Sequence, residues 1–146
     1  MSGELVILDT NVLVYSRYAD AEHHAACRAV LDQAQAGEVQ LCVTSQILAE
    51  FFSIVTNPRR VSDPRDPQEA LEVIERLLDM PGMTLLPMPA GIVRDWIALA
   101  REHAISRSEI FDVQLIATMR ASGVQRIYTY NTTDFEPYDG IEVLTP

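Results

Sequence analysis

Three acidic residues occupy positions where a carboxylate needs an explanation. Asp9 directly follows the apolar run of residues 5–8, Glu50 lies between apolar neighbours of a helical segment, and Asp112 lies among apolar residues of another. Hard divalent cations such as Mg²⁺ take oxygen ligands and are commonly held by one or two carboxylates together with water and substrate phosphates. Converging acids could therefore bind such an ion, and no His, Cys or Lys is needed for the site.

Asp112 is the acid that a structural role explains least well. In a helix, its carboxylate lies on the same side as Leu115, Ile116 and Met119, which follow three, four and seven positions later. An ionised carboxylate isolated in apolar surroundings is costly, or its pKa rises until the group is neutral. A divalent cation shared with other carboxylates would compensate for this charge. A buried arginine or a set of backbone donors would do so as well.

Asp9 and Glu50 also have structural alternatives. Asp9 or Thr10 could cap the helix that is predicted to begin within a residue or two, since Asp and Thr are favoured N-cap residues. Glu50 borders the apolar side formed by Ile47 and Ile54, so its side chain could simply extend from the edge of the core to water. Position alone does not separate these roles from metal binding.

A polar cluster lies at the C-terminal end of the strand predicted at residues 126–130. It comprises Thr129, Asn131 and Asp134, which would lie beside Asp9 if the sheet is parallel. Such residues are also common in turns, which is the structural alternative. Glu109 is left out of the candidate set because the segment 106–109 fits a capping box, in which Ser and Glu side chains each satisfy a backbone N–H.

The elements that must position these residues alternate between strand and helix. The unbroken apolar run before Asp9 is typical of a central strand buried on both faces. Ligands of open α/β sheets bind outside the carboxyl ends of such strands. The alternation predicts a three-layer α/β/α domain with a mainly parallel sheet, spanning residues 1–146 as one domain. Strands are predicted at 5–8, 40–44, 83–86, 126–130 and 141–144, and helices after Asp9 and at 22–36, 45–56, 68–79, 91–103 and 107–121.

Helical spacing and residue type also predict burial. One helical segment has apolar residues at helical spacing, namely Leu71, Ile74, Leu77 and Leu78, and the next has candidates for burial, namely Ile92, Trp96, Ile97 and Leu99. Cys27 and Cys42, which lack metal-type spacing, are expected to be buried small apolar residues.

The composition limits the function further. A hydrophobic content of 48% and a charged content of 22% are those of a globular protein, and no apolar run approaches the ~20 residues needed to span a bilayer. A cytoplasmic protein is therefore expected. The net charge of −10, with all 11 basic residues Arg, argues against broad non-specific affinity for nucleic acid. It does not exclude a nucleic acid substrate, because a metal bound by carboxylates reverses the local charge.

Four motifs, in order, resemble those of PIN-domain ribonucleases, specifically the VapC-type toxins of bacterial toxin–antitoxin pairs. They are the opening at residues 8–11, the Glu50 helix, the run at residues 111–118 and the close at residues 129–135, and the similarity covers essentially the whole chain. The resemblance implies a metal-dependent endoribonuclease in which Asp9, Glu50 and Asp112 bind Mg²⁺ or Mn²⁺. The bound ion would position a water for attack on a phosphodiester.

The resemblance also implies supporting residues. Asn11 and Thr129 would orient ligands or water. Many relatives have a fourth acid where this chain has Asn131, whose carbonyl oxygen brings no charge. A second tightly bound metal would then depend on Asp134, which is assigned a supporting role.

Partners follow from the same resemblance. They are an RNA substrate, a VapB-type antitoxin whose C-terminal segment occupies the active-site groove, and a second copy of the chain in a homodimer. Charge and the resemblance together suggest Arg59, Arg60 and Arg107 as contacts to the RNA backbone.

Two other functions compete. A haloacid-dehalogenase-type phosphatase would use Asp9 as a nucleophile. That chemistry requires a second acid two residues later, where this chain has Asn11, and a Lys, which the chain lacks. A catalytically impaired PIN-like module would bind an antitoxin or RNA without turnover, if Asn131 has abolished metal binding. This second alternative predicts that the protein leaves RNA intact in the presence of Mn²⁺.

Overall fold

Five short parallel strands form a sheet in the computed structural model, which describes residues 4–146; the first three residues of the predicted domain lie outside this range. The strand order is β3-β2-β1-β4-β5, and every neighbouring pair is parallel. The first strand is therefore central, as its unbroken apolar run predicts, and all three of its residues are buried. The strands are β1 Val6–Leu8, β2 Leu41–Val43, β3 Met83–Leu85, β4 Arg126–Tyr128 and β5 Glu142–Leu144.

Helices connect these strands on both sides of the sheet. The helices between β1 and β3 in the chain contact one another, and so do the two helices between β3 and β4. Right-handed crossovers, the rule for parallel strands, would place these two groups on opposite faces of the sheet. The α/β/α prediction is thus confirmed. The helices are α1 Thr10–Tyr15, α2 His24–Gln35, α3 Ser45–Val55, α4 Pro67–Leu78, α5 Ile92–Glu102 and α6 Glu109–Ala121, and a 3₁₀ turn spans Thr132–Asp134. Within the described residues, no helix is both long enough and apolar enough to cross a membrane.

Local sequence signals set several helix ends. Thr44 caps α3, its hydroxyl accepting a hydrogen bond from the Ile47 N–H at 3.2 Å. Asp66 caps α4 in the same way and Pro67 occupies the first helical position, where its missing N–H costs nothing. Gly37, at φ +74°, follows the end of α2, a conformation that glycine adopts without strain.

The buried faces of α4 and α5 differ from the prediction. In α5, Ile92 and Leu99 are buried as predicted, but Ile97 is 39% exposed, so its predicted burial is wrong. In α4, Leu71 and Leu78 are 45% and 40% exposed despite their helical spacing. In α4 the buried positions are Ala70, Val73 and Leu77. The apolar residues of α4 lie on more than one side of the helix, and the side that packs against the core is the one that carries the small Ala70. The predicted burial of Cys27 and Cys42 is confirmed.

Gly82, before β3, allows two chain segments to pass close together. Its N–H donates to the Ala34 carbonyl at 2.9 Å, and its own carbonyl accepts from the Leu41 N–H at 2.7 Å. A Cβ atom at this position would lie 2.2 Å from the Val39 carbonyl oxygen and 2.8 Å from that of Ala34. The backbone approach therefore excludes any side chain.

We expect Gly82→Ala to lower the free energy of unfolding by about 3 kcal/mol, because backbone atoms must shift to admit the methyl group. Gly91→Ala is the matched control, since nothing lies within 4 Å of a Cβ there. Its cost should stay below about 1 kcal/mol. Urea unfolding of both variants measures the difference, and equal losses would contradict the close approach at Gly82.

Candidate active site

Asp9 lies at the carboxyl end of the central strand and has two roles in the structure. Its Oδ1 accepts a hydrogen bond from the Thr10 N–H at 2.8 Å and so caps α1. Its Oδ2 accepts from the Thr129 hydroxyl at 2.7 Å and from the Asn11 amide at 3.3 Å. The capping alternative is therefore present, but it uses only one oxygen of a carboxylate that also borders a cleft.

The loop after β4 is tied to α1 through these contacts. Thr129 is fully buried, and its hydroxyl accepts from the Asn11 amide at 3.3 Å and from the Asn131 N–H at 3.0 Å. The side-chain amide oxygen of Asn11, Oδ1, accepts a hydrogen bond from the Tyr130 backbone N–H at 3.4 Å. The strand predicted at 126–130 thus ends at Tyr128, because the chain turns toward α1. β1 and β4 flank the point where the strand order reverses, the usual position of a binding crevice.

Glu50 is held by a donor on each oxygen. The Thr10 hydroxyl donates to Oε2 at 2.9 Å, and the Gln46 amide donates to Oε1 at 3.0 Å. Gln46 was not among the predicted residues, although it lies four positions before Glu50 and so on the same helix face. Thr10 links the acid of α3 to the start of α1.

Asp112 lies in the first turn of α6 and is half-buried. Its pKa is raised to about 7, first by burial and then by the negative charges of Asp134, Asp9 and Glu50. Burial likewise raises the pKa of Asp9, against the hydrogen bonds from Thr129 and Thr10. Removal from water and mutual repulsion therefore act on the same group of acids.

Asp9, Glu50 and Asp112 line one cleft, together with polar and apolar side chains that include Gln46 and Phe111. None of the ion pairs within residues 4–146 involves these three acids, so an arginine does not neutralise them there. The donor set, carboxylate oxygens with hydroxyl and amide support, suits a hard divalent cation.

The carboxylates do not form a finished coordination shell. In the part of the chain that the structure describes, no group of three His, Cys, Asp or Glu side chains is close enough to hold a metal ion. Like charges keep carboxylates apart unless a cation lies between them. Metal binding here would therefore include movement of the acidic side chains toward one another.

The remaining predicted residues lie farther from this cleft. Asp134 is exposed in the 3₁₀ turn and lines a neighbouring depression that Asp112 shares. Asn131 is exposed, and its backbone N–H rather than its side chain joins the network. Arg59, Arg60 and Arg107 are exposed and are not among the residues that line the cleft.

The start of α6 corrects the predicted helix boundary. The helix begins at Glu109, two residues later than expected, because Arg107 adopts φ +55°. The Glu109 carboxylate accepts from the Ser106 N–H at 3.2 Å, as the capping box requires. The N-cap is Ser108, which makes no side-chain capping bond, so the Ser106 half of the predicted box is wrong.

We expect Thr129→Val to lower the free energy of unfolding by about 2 kcal/mol, because it leaves a partly buried carboxylate oxygen of Asp9 without its shortest hydrogen bond. Thr118→Val is a matched control: this threonine is equally buried and donates only to the Gln114 carbonyl of its own helix. Thr118→Val should lower the free energy of unfolding by less than about 1 kcal/mol. Urea unfolding at pH 7 measures both variants, and similar losses would show that the bond to Asp9 has no special weight.

Comparison with known proteins agrees with this fold. The model of the PIN domain family matches residues 6–140. Ribonuclease VapC24 of Mycobacterium tuberculosis is 30% identical over 142 residues, covering 97% of each chain. Ribonuclease VapC43 of the same organism is 33% identical over 117 residues, covering 77% of each chain.

Solved structures share the fold at lower sequence identity. Mycobacterium tuberculosis VapC20, described as a toxin that cleaves the sarcin–ricin loop, aligns with a TM-score of 0.71 at 17% identity and covers 97% of this chain and 99% of its own. DNA-bound VapBC of Salmonella typhimurium aligns with a TM-score of 0.64 at 19% identity, covering 99% and 98%. With the family model matching most of its length, this chain belongs to the PIN-domain family and groups there with the VapC ribonucleases.

Proposed function

We propose that this chain is a metal-dependent endoribonuclease of the VapC type, which hydrolyses phosphodiester bonds of RNA. The observation that carries the proposal is one cleft lined by Asp9, Glu50 and Asp112, three acids from separate elements without an arginine partner among residues 4–146. Relatives at 30–33% identity are named ribonucleases, which supports the same reaction.

Asp9, Glu50 and Asp112 are the proposed ligands of Mg²⁺ or Mn²⁺. When bound, such an ion activates a water and offsets the negative charge of the phosphoryl oxygens. The protein's own part is orientation. Thr129 fixes the Asp9 oxygen that faces away from the helix cap, at 2.7 Å. The Thr10 hydroxyl, at 2.9 Å, restrains Glu50 from the neighbouring helix.

The supporting residues are proposed to act around this set. Asn11 restrains both Asp9 and Thr129 through one amide. Asp134 contributes negative charge beside Asp112 from an exposed position, and Asn131 leaves the site with three acids rather than four. Such surrounding groups typically change metal affinity or activity by about 10- to 100-fold.

The partners are proposed by relationship. Similar folds include VapBC complexes and a toxin–antitoxin complex from Klebsiella pneumoniae, so a VapB-type antitoxin is the proposed protein partner. A homodimer and a cytoplasmic location are proposed with it. Arg59, Arg60 and Arg107 are proposed to contact the RNA backbone outside the cleft, because all three are exposed cations.

The test is cleavage of RNA by the purified chain, with sequencing of the new RNA ends. With Mg²⁺ or Mn²⁺ present we expect discrete cuts, which disappear with a chelator. Brief expression in cells should give the same ends for the wild type and none for Asp9→Asn. Intact RNA at every metal concentration, with RNA or antitoxin binding retained, would contradict turnover and support the binding module instead.

A further inference from the structure

Phe111 exposes an aromatic ring to solvent beside the three acids. At 53% exposure it is the most exposed large apolar side chain that the structure describes, and the others in this class are aliphatic. Exposing an aromatic ring forgoes the stabilisation that its burial would give. Single exposed apolar side chains are common on protein surfaces, so it is the position of this ring beside the acids that points to a use other than packing.

The position of Phe111 ties it to the cleft. Phe111 is one of the residues that line the cleft with Asp9, Glu50 and Asp112. Leu115, four positions later and on the same side of α6, lines it too. The ring is thus carried by a helix rather than by a loop, one residue before an acid proposed to bind the metal ion.

The chemistry that fits is a flat, unpaired nucleobase. Bases that are not in a duplex stack on aromatic side chains, and each stack contributes about 1–3 kcal/mol whatever the base. Every phosphodiester in RNA joins two nucleotides, and each of them carries a base. A strand whose phosphate is at the acids therefore brings a base next to the neighbouring cleft wall.

We propose that Phe111 stacks on a base flanking the scissile phosphate, a role that rests on the proposed nuclease function. The ring makes no hydrogen bonds, so it selects an unpaired base rather than a particular base. This contact therefore disfavours a base-paired nucleotide next to the scissile phosphate.

The probe for binding is a fluorescent pool of randomised single-stranded RNA 12-mers, measured with Ca²⁺ in place of Mg²⁺. A second probe has the same ribose–phosphate backbone without bases. Phe111→Ala should weaken binding of the RNA by about 5- to 150-fold, the affinity change equivalent to one lost stack. It should leave binding of the abasic strand unchanged, and cleavage should show a higher KM at nearly constant kcat.

Two variants sharpen the comparison. Leu85→Ala removes a side chain that is 50% exposed but does not line the cleft, so its RNA binding should match the wild type. Phe111→Trp in a Trp96→Phe background should retain binding, and the RNA but not the abasic strand should quench the introduced indole.

Several results would overturn the stacking role. Unchanged RNA binding by Phe111→Ala, or an equal loss for the abasic strand, would do so while leaving the nuclease function intact. A loss confined to binding of the antitoxin or of a second copy would assign Phe111 to a protein interface instead. Base-dependent binding without cleavage by the wild type would instead support stacking and contradict the proposed function.

Discussion

Asp9→Asn is expected to lower the rate of RNA cleavage on the order of 100-fold or more. Mutation of residues that merely orient metal ligands already lowers metal affinity or activity by about 10- to 100-fold. The fold should persist. Asn is as good an N-cap as Asp, and its carbonyl oxygen can still accept the hydrogen bond that the Thr10 N–H now gives to Asp9. Initial rates of cleavage, with circular dichroism of the same samples, measure the two effects separately.

Glu136→Gln is the control for this prediction. Glu136 is exposed, lies outside the cleft and is likewise acidic, so its neutralisation should leave the cleavage rate within about twofold. An Asp9→Asn protein that is folded and as active as the wild type would remove Asp9 from the chemistry. An unfolded variant would give Asp9 a mainly structural role.

Asp112→Asn is expected to abolish cleavage and to stabilise the metal-free protein at neutral and higher pH. The Asp112 carboxyl has a pKa of about 7 in the folded protein, against 3.8 as the ordinary value. Between these pH values the folded state holds a proton that the unfolded state has released. Stability from this group therefore falls as pH rises from about 4 to 7, and the loss is complete above pH 7.

The size of this effect is set by exposure. A shift of this size corresponds to about 4 kcal/mol for a buried group, and solvent screening at a half-exposed carboxylate reduces it to about 2 kcal/mol. Asp112→Asn should therefore be about 2 kcal/mol more stable than the wild type at pH 8 and nearly equal to it at pH 3. Urea unfolding across this range, without metal, measures the difference.

A divalent cation should remove the stability advantage of Asp112→Asn over the wild type at pH 8. Metal bound to the wild type favours the charged form of Asp112, so added Mn²⁺ should restore stability to the wild type at pH 8 but not to Asp112→Asn. If the variant were less stable than the wild type at pH 8 without metal, Asp112 would be a structural residue. The explanation of its raised pKa by burial and by neighbouring negative charges would then be wrong.

Much of the fold follows from local patterns in the sequence. The apolar run before Asp9 favours a central strand, which the structure has, and the alternation of strands and helices leads to a parallel sheet. The burial of α4 could not be predicted in the same way, because Leu71 and Leu78 are apolar yet exposed, whereas the small Ala70 is buried. Which face packs depends on neighbouring elements that helical periodicity does not describe.

The site could be predicted from the sequence where a charged residue lies among apolar ones. Asp112 among leucines and isoleucines points to a compensated charge, and the structure places it in one cleft with Asp9 and Glu50. The contact between Gln46 and Glu50 depends on side-chain rotamers, which spacing alone does not determine. The positive φ of Arg107, which delays the start of α6, leaves no signature in residue type, since arginine rarely adopts it.

Mn²⁺ titration followed by NMR tests most directly whether the three acids share one cation. The paramagnetic ion broadens the signals of nearby nuclei, so backbone amides around Asp9, Glu50 and Asp112 should broaden together at low Mn²⁺, and Asp9→Asn should abolish the effect. Broadening confined to other acids, such as Glu69, Glu72 and Glu75 along α4, or an unchanged response in Asp9→Asn, would contradict a shared site.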